Sequence, residues 1–236
     1  MFIFQLQMAT TRKHIFITGS VGVGKTSTIN EALSQSQSLG VNVFYVKEYI
    51  DNDPYGVNKY DDWTNNRMSL FDFQMYICNE FRKQLKSPEY MLAGLVIWER
   101  HPREALMVFS QSGLSDSERE RLHNAISELE EDYDIPRLMD TPKCYAINMS
   151  SLSPKFVGSI VISTFTQLIL DNTDSCYFLY LFYPRNRLYA QLANIKRRGR
   201  THEIARYDLV DNLVEINRLY DEFVLRYLNA VNFSIN

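Results

Sequence analysis

The hydrophobic pattern of the chain alternates between short, almost uninterrupted apolar runs and longer segments with helical spacing. Uninterrupted apolar runs of this length are typical of parallel strands that are buried on both faces. The pattern predicts four β-strands and a fifth candidate near the end of the chain: His14–Thr18, Val41–Val46, Leu95–Trp98, Cys176–Tyr183 and Val231–Ile235.

The segments between these strands have the periodicity of amphipathic helices. One helix is predicted from Lys25 to about Ser38 and another from Arg67 to about Lys86. A third has apolar positions at steps of three and four: Leu209, Leu213, Ile216, Tyr220, Phe223 and Tyr227. Strands that alternate with helices predict an α/β fold of three layers, in which helices flank a parallel sheet. The length of 236 residues predicts a single domain over 1–236.

Composition narrows the function classes. A formal net charge of −3 argues against a broad basic surface for nucleic acid. The most apolar stretches, Ser159–Leu170 and Cys176–Tyr183, are too short or too polar to span a bilayer, so no membrane partner is expected. The three cysteines are far apart and form no CxxC pair, which favours a reduced, cytoplasmic protein without a structural zinc or disulfide framework.

A glycine-rich motif follows the first predicted strand and precedes the first predicted helix. It matches G-x-x-x-x-G-K-[ST] and comprises Gly19, Ser20, Val21, Gly22, Val23, Gly24, Lys25 and Thr26. The glycines let backbone N–H groups turn toward phosphate oxygens, and the helix N-terminus adds positive potential. Lys25 would reach the β- and γ-phosphates, and the Thr26 hydroxyl would hold Mg²⁺. The motif therefore predicts a P-loop that binds ATP with Mg²⁺.

Two carboxylates follow predicted strands. Glu48 comes after the second strand and Glu99 directly after the third. Ligands of open α/β sheets bind beyond the carboxyl ends of the strands. Phosphoryl transfer to an alcohol needs a base for the hydroxyl and groups that hold Mg²⁺, and two acids beside a P-loop can divide these tasks. A single acid at a strand end can equally be a solvated surface residue.

The segment after the third strand makes the interpretation specific. Glu99–Pro102 reads Glu-Arg-His-Pro, which resembles the deoxynucleoside kinase family of herpesvirus-type thymidine kinases and cellular deoxycytidine and deoxyguanosine kinases. In that family the strand ends in Glu/Asp-Arg-Ser or Asp-Arg-His-Pro. The resemblance implies that Glu99 is an Mg²⁺ ligand, that Arg100 lies near the 5′-oxygen and the transferring phosphate, and that Glu48 is the general base. Tyr49 stands where the family usually has a proline after that glutamate.

Gln74 lies in the middle of an apolar helical stripe formed by Leu70, Phe71, Ile77, Cys78 and Phe81. A buried amide needs partners at both ends, which either a neighbouring side chain or the edge of a nucleobase can supply. Phe73-Gln74-x-Tyr76 resembles the Phe-Gln-x-Tyr of the cellular kinases. This resemblance implies that Gln74 binds the base.

The resemblance also bears on which base is bound. Phe81 and Ala105 stand where cytidine-preferring members carry an Arg and an Asp, which implies a thymidine-accepting site. Phe109 matches an aromatic residue that stacks on the base, although ordinary core packing would also explain a phenylalanine there.

Other aromatic residues are candidates for the same pocket. Asp53 stands where the family has a tryptophan, so Tyr55 or Trp63 is expected to compensate. Tyr60 is a candidate for contact with the sugar 3′-hydroxyl.

The densest cationic run is Lys196–Glu203. Taken alone, it could be a solvated helix face or a nuclear-localisation patch. Its place after the fourth strand and the following helix is where P-loop kinases carry a lid, here at about 196–204. The resemblance to the family's Arg-x-Arg-x-x-Glu lid implies phosphate contacts for Arg198 and Arg200 and a sugar 3′-hydroxyl contact for Glu203. A family arginine falls on Asn194, so one of two neighbours is expected to serve instead: Lys196 or Arg197.

The resemblance also predicts how the chain assembles. The family forms homodimers through two helices of each subunit, which implies a homodimer built on Arg67–Lys86 and the apolar Phe156–Leu170 segment.

The stretch from 110 to 153 matches the family poorly. It contains an acidic amphipathic helix near Asp116–Glu131 that is expected to be solvated surface.

Together these residues predict a kinase that moves the γ-phosphoryl of ATP to the 5′-hydroxyl of a small deoxynucleoside, with thymidine preferred and deoxycytidine tolerated. One rival is a thymidylate or other nucleoside monophosphate kinase, in which Lys47 and Arg103 would bind the acceptor phosphate. A second rival is an NTP-hydrolysing switch or motor. The chain lacks the Walker-B aspartate and the Asn-Lys-x-Asp motif that such proteins usually carry.

Overall fold

A six-stranded sheet lies at the centre of the computed structural model, which describes residues 12–37, 40, 42–138, 143–170, 176–228 and 231–232. Every neighbouring pair of strands is parallel, and the order is β2-β3-β1-β5-β4-β6. The strands are β1 Lys13–Thr18, β2 Val43–Val46, β3 Leu95–Glu99, β4 Lys143–Asn148, β5 Tyr177–Phe182 and β6 Val231–Asn232.

Helices cover both faces of this sheet, as the alternating pattern predicts. The described helices are α1 Lys25–Gln37, α2 Tyr49–Asn52, α3 Gly56–Thr64, α4 Leu70–Leu85, α5 Pro88–Leu92, α6 Glu104–Met107, α7 Asp116–Asp132, α8 Pro154–Leu170, α9 Leu188–Arg198, α10 Thr201–Tyr207 and α11 Val210–Phe223. A 3₁₀ turn at Arg185–Arg187 precedes α9, and a π-helical turn at Val224–Leu228 extends α11. The fold is therefore a three-layer α/β fold in which helices flank a parallel sheet.

The uninterrupted apolar character of β1 reflects burial on both sides of the sheet. Phe16 joins a core with residues of α4, α7, α9 and α11 on one face. Ile15 and Ile17 join a second core with residues of α1 and α8 on the other face. Because β1 lies between β3 and β5, its carboxyl end and the loop that follows it are in the middle of the sheet edge.

Strand β4 was not predicted from the sequence and lies in the stretch that matches the family poorly. It pairs with β5 along its whole length, from Lys143 beside Tyr177 to Asn148 beside Phe182. The fifth predicted strand is present as β6 over Val231–Asn232, and the rest of that candidate lies outside the described residues.

Helix α7 is present where an acidic helix was predicted, but the expectation of solvated surface was wrong for one of its faces. Leu122, Ile126 and Leu129 are fully buried, and the helix packs against α4. Its sequence is mainly polar because the opposite face is exposed. The apolar positions were too few to reveal the buried face by composition alone.

Helix α8 packs along α1, which explains why its sequence is more apolar than that of a surface helix. Gly158 lies at the crossing, where an added Cβ would come within 2.8 Å of Glu31 Cβ and 3.0 Å of the Ala32 backbone nitrogen. The apolar face of α8 is thus buried within the chain, and α4 packs on α7. The predicted homodimer stays a prediction. None of the described helices is long and apolar enough to cross a bilayer.

Two histidines are buried as neutral imidazoles: His14 within β1 and His101 in the turn after β3. His14 Nδ1 accepts a hydrogen bond of 3.0 Å from Trp98 Nε1, and burial, with the nearby charge of Arg12, lowers the pKa of His14 to about 3. Burial likewise lowers the pKa of His101 to about 3, against a weaker opposing effect of its hydrogen bond to Pro136 O. Both groups must take up protons on unfolding at acidic pH.

We therefore expect acid to destabilise the fold. A histidine with a lowered folded pKa contributes stability that is complete above its unfolded pKa and is lost as the pH falls. For a shift of this size the loss is about 2 kcal/mol per histidine at about pH 5. His14→Asn keeps an acceptor near Trp98 but cannot titrate, so its free energy of unfolding in urea should fall less than that of the wild type between about pH 7.5 and pH 5. An equal fall in both proteins would contradict this assignment.

Candidate active site

The P-loop turns between β1 and α1 at three glycines with positive φ. The φ values are 135° at Gly19, 74° at Gly22 and 98° at Gly24, a region that favours glycine. A Cβ at Gly19 would lie 2.3 Å from the Leu181 carbonyl oxygen, so the loop also passes close to β5. Lys25 Nζ donates to Ser20 O at 3.0 Å across the loop. Burial, together with the charge of Arg100, lowers the pKa of Lys25 to about 8.

Glu99 ends β3 and is fully buried beside the start of α1. The Thr26 hydroxyl donates to its carboxylate, with Oγ1 3.0 Å from Oε1 and 3.1 Å from Oε2, and the Tyr45 hydroxyl donates to Oε2 at 2.6 Å. Burial and the neighbouring Glu48 charge raise the pKa of Glu99. The structure thus brings together the two predicted metal ligands, Thr26 and Glu99.

This donor set fits Mg²⁺. The ion prefers oxygen ligands and in phosphoryl-transfer sites usually takes only one or two protein ligands, the remainder being phosphate and water. Within the described part of the chain, no group of three or more His, Cys, Asp or Glu side chains could hold a metal. The Thr26 hydroxyl and the Glu99 carboxylate are therefore suitable protein ligands for Mg²⁺, and phosphate oxygens and water would supply the remaining ligands.

Glu48 and Arg100 form an ion pair at the carboxyl ends of β2 and β3. Arg100 Nε donates to Glu48 Oε1 at 2.8 Å, and Arg100 Nη1 donates to the Gly19 carbonyl oxygen at 3.1 Å. Burial alone would raise the pKa of Glu48, but the charges of Arg100 and Lys25 outweigh it and lower the pKa to about 2. Glu48 is therefore an ionised carboxylate within reach of the P-loop.

A cavity of about 330 Å³ opens beside this ion pair. Its walls include Glu48, Arg100 and every residue that the sequence predicts to contact the substrate: Tyr60, Gln74, Phe81, Ala105, Phe109 and Glu203. The distribution of these residues over α3, α4, α6, α10 and the turn after α6 shows how much of the fold contributes to one pocket.

Three buried polar atoms at this cavity have no partner among the described residues: Gln74 Oε1, His202 Nε2 and Glu203 Oε2. Gln74 is only 2% exposed, and buried side-chain oxygens are nearly always hydrogen-bonded. An unpartnered acceptor in a cavity wall indicates that a ligand supplies the donor.

Of the two aromatic residues expected to compensate for the missing tryptophan, only Trp63 lines the cavity. Trp63 stacks on Phe73, with ring centroids 4.8 Å apart and planes 7° from parallel, and the Arg206 guanidinium lies 4.7 Å from its ring. Tyr55 is 66% exposed and does not line the cavity. Of the two alternatives, the position of Trp63 in the cavity wall therefore favours Trp63.

Arg198 and Arg200 reach back from the end of α9 to the P-loop region. Arg198 Nη2 donates to Thr26 Oγ1 at 3.1 Å and to Asp51 Oδ2 at 3.3 Å. Arg200 pairs with Asp51 and donates to Glu203 Oε1 at 3.0 Å. Of the two predicted phosphate-binding arginines, Arg198 thus contacts the P-loop at Thr26, and both are held by carboxylates.

The expectation that Lys196 or Arg197 replaces the missing family arginine is not supported by their positions. Lys196 Nζ pairs with Asp208 at 2.9 Å, and Arg197 donates to Asn194 Oδ1 at 3.0 Å, both on the exposed surface. Asn194 itself reaches the P-loop, because its Nδ2 donates to the Gly22 carbonyl oxygen at 3.2 Å.

The sequence patterns did not identify two carboxylates of the site, Asp51 and Glu104. Asp51 is the counter-ion of both lid arginines, and its place three residues after Glu48 at the start of a helix is a signal that could have revealed it. Glu104 is buried in the cavity wall and lies four residues after Arg100, to which it is paired.

Comparison with known proteins finds similarity among solved structures. No family model and no curated protein matches the chain. Solved structures that it is similar to include deoxyadenosine kinase from M. mycoides with bound dATP, at 19% identity and a TM-score of 0.47 over 94% of this chain and 92% of that one. The same enzyme with the products dCMP and a flexible dCDP is similar at 18% identity and a TM-score of 0.47, over 94% and 90%. Both neighbours are deoxyadenosine kinases.

Proposed function

We propose that the chain is a deoxynucleoside kinase that transfers the γ-phosphoryl group of ATP to the 5′-hydroxyl of thymidine. The observation that carries this proposal is the cavity. One wall holds the unpartnered amide oxygen of Gln74, and the mouth holds the Glu48–Arg100 pair beside the P-loop. A nucleoside that spans these two points would place its base on Gln74 and its 5′-hydroxyl near Glu48.

Glu48 is suited to act as the general base. A carboxylate whose pKa is held at about 2 stays ionised at neutral pH and can orient the 5′-hydroxyl. Because Arg100 lowers this pKa most, Glu48 becomes a stronger base when it releases Arg100 for the hydroxyl, and it can then accept the proton as the phosphoryl group transfers. Arg100 and Lys25, with Arg198 and Arg200 from the lid, would neutralise charge on the transferring group. Thr26 and Glu99 would hold Mg²⁺, which supplies further charge neutralisation at the β- and γ-phosphates.

The sugar would lie between Glu48 and the lid. Glu203 Oε2 is a buried acceptor without a partner, which suits the 3′-hydroxyl as donor. Tyr60 lines the same part of the cavity, where burial raises the pKa of its phenol to about 12, so it would remain a neutral hydrogen-bond donor at physiological pH.

The base preference rests on the inner end of the cavity. Gln74 can accept from N3–H of thymine and donate to O4, which satisfies its amide at both ends. Phe81 and Ala105 are apolar neighbours in the wall, and the small Ala105 leaves room for the C5 methyl group. Thymidine is therefore proposed as the best substrate, with deoxycytidine tolerated through a flipped amide and purines poor.

A monophosphate acceptor is less well supported. Such an acceptor needs cations for its phosphate, but neither Lys47 nor Arg103 lines the cavity. The guanidinium groups that do line it belong to Arg100, which is paired with Glu48, and to Arg206, which lies on the Trp63 ring. Lys47 is exposed, and Arg103 is bound to Glu130 on α7, with Nε 2.8 Å from Oε1. The two residues that favoured the monophosphate kinase hypothesis, Lys47 and Arg103, therefore lie outside the cavity.

The role of Gln74 gives the test of the base assignment. Gln74→Leu should lower kcat/KM for thymidine by about ten- to a hundred-fold, since loss of a buried bidentate contact costs about 1–3 kcal/mol. Gln84→Leu is a matched control on the same helix, because Gln84 binds the Lys47 backbone outside the cavity. Steady-state kinetics with thymidine, deoxycytidine and deoxyguanosine would contradict the assignment if both variants behaved alike, or if the wild type used deoxyguanosine as well as thymidine.

A further inference from the structure

We propose that Glu104 is a positioning residue that keeps the Arg100 guanidinium in place when Glu48 releases it to engage the acceptor hydroxyl. This inference rests on the proposed function for its kinetic part. Its structural part, the control of Arg100 by Glu104, can be tested without any substrate.

Glu104 is a carboxylate that is only 1% exposed and has a donor on every side. Oε1 accepts from the Thr18 hydroxyl at 2.9 Å and from the His101 backbone N–H at 2.9 Å. Oε2 accepts from the Tyr220 hydroxyl at 2.7 Å and from Arg100 Nη1 at 3.4 Å. One side chain thus connects the end of β1, the turn after β3 and helix α11.

Burial of a carboxylate is unfavourable unless it is hydrogen-bonded and paired, and the burial of Glu104 raises its pKa. Here both oxygens are satisfied, and the paired charge belongs to Arg100, which the proposed reaction uses. A neutral hydrogen-bonding side chain would suffice at this position if its role were purely structural. The pairing with this guanidinium indicates a role in the site.

The backbone at Arg100 needs such support. Its φ is 80°, a conformation that a residue with a side chain keeps only where its surroundings hold it. Glu104 accepts from the N–H of the next residue, His101, and the Arg100 N–H donates to the Ile17 carbonyl oxygen at 3.1 Å. Glu104 therefore fixes both the backbone turn and the guanidinium that projects from it.

Two carboxylates on one guanidinium resolve a conflict in the proposed mechanism. Glu48 pairs with Arg100 Nε, yet as base it must turn an oxygen to the 5′-hydroxyl. If Glu48 were the sole anchor, Arg100 would move as the base engaged its substrate. With Glu104 on Nη1, the guanidinium can remain near the Gly19 carbonyl oxygen while Glu48 changes partner.

Glu104→Gln tests the proposal, because its amide NH₂ would replace the oxygen that accepts either from Arg100 or from the His101 N–H. The neighbouring Tyr220 and Thr18 hydroxyls can turn to accept from that NH₂, but the guanidinium and the backbone N–H are donors only, so one of them loses its acceptor. Misplacement of a catalytic group by about 1 Å can cost about a hundred-fold in rate, so we expect kcat to fall by about ten- to a hundred-fold. The KM values for ATP and nucleoside should change by less than about threefold, since the lost interaction acts in the transition state.

Glu130→Gln is the matched control. Glu130 is also a buried carboxylate, 2% exposed, and it pairs with Arg103 outside the cavity. Its amide variant should lose thermal stability but keep the wild-type kcat. Tyr220→Phe, which removes only the hydroxyl that holds Oε2, is a milder second variant that keeps the test available if Glu104→Gln does not fold. It should lower kcat by about three- to ten-fold.

The substrate-free readout is the ¹⁵N-edited NMR signal of the Arg100 side chain. We expect exchange with water of the Arg100 Hη protons, which Glu104 holds through Nη1, to be about ten times faster in Glu104→Gln, or measurably faster in Tyr220→Phe, and unchanged in Glu130→Gln. Unchanged Arg100 exchange, or a loss of kcat in Glu130→Gln equal to that in Glu104→Gln, would overturn the positioning role. Failure of the wild type to phosphorylate any nucleoside would instead overturn the proposed function, with the exchange result still deciding whether Glu104 holds Arg100.

Discussion

Lys25→Ala is expected to lower kcat by about a thousand-fold or more, because charge clamps on a transferring phosphoryl group are worth several kcal/mol in the transition state. The Lys25 ammonium is buried, bonded to the Ser20 carbonyl oxygen across the P-loop and close to Glu48 and Glu99. Arg100 and Arg198 also contact the loop, at the Gly19 carbonyl oxygen and the Thr26 hydroxyl, but Lys25 is the cation that the loop itself contributes. The measurement is steady-state turnover with ATP–Mg²⁺ and thymidine, with circular dichroism to establish that the variant is folded.

Lys86→Ala is a suitable control, because Lys86 is exposed at the carboxyl end of α4 and away from the P-loop. It should retain wild-type turnover. Near wild-type kcat in a folded Lys25→Ala protein would show that the glycine-rich loop is a turn rather than a phosphate site.

Glu48→Gln is expected to lower kcat by about a hundred- to ten-thousand-fold, the range that a positioned general base contributes. The amide keeps the shape of the side chain but cannot accept the proton of the 5′-hydroxyl, and it pairs less strongly with Arg100. KM for ATP should stay within about threefold of the wild-type value, because Glu48 belongs to the acceptor side of the site.

The control for this variant is Glu89→Gln, an exposed acid in the first turn of α5. It should leave both constants unchanged. If Glu48→Gln raised KM for the nucleoside and left kcat alone, Glu48 would be a binding group and another residue would have to take the proton.

The parts of the site that could be predicted are those encoded by local patterns. The P-loop, the acids at the ends of β2 and β3, and Gln74 inside an apolar helical stripe all depend on neighbours within a few residues. Parallel strands then bring their carboxyl ends together, so Glu48, Glu99 and Lys25 meet without further information. The structure places all of them around one cavity and P-loop.

Strand β4 could not be predicted in this way. Its sequence, KCYAIN, has few β-branched residues, and its burial alternates only in part. Pairing with β5 and β6 specifies it as a strand, and that pairing depends on residues more than thirty positions away. Propensity is a weak guide for so short a segment.

The role of Glu104 was hidden for a related reason. Its partners include Thr18, 86 residues earlier, and Tyr220, 116 residues later. Only the folded arrangement of β1, α6 and α11 makes them neighbours. The local signal is an acid four residues after an arginine, which is common on exposed helices and so did not distinguish a buried pair.

The most direct test of the central proposal is to follow the wild-type protein with ATP–Mg²⁺ and thymidine by ³¹P NMR, in parallel with a reaction in which thymidine 5′-monophosphate replaces thymidine. The proposal predicts that ADP and thymidine 5′-monophosphate appear together in equal amounts and that the monophosphate is used much more slowly as an acceptor. ADP formation that does not depend on a nucleoside, or phosphorylation of the monophosphate alone, would contradict it.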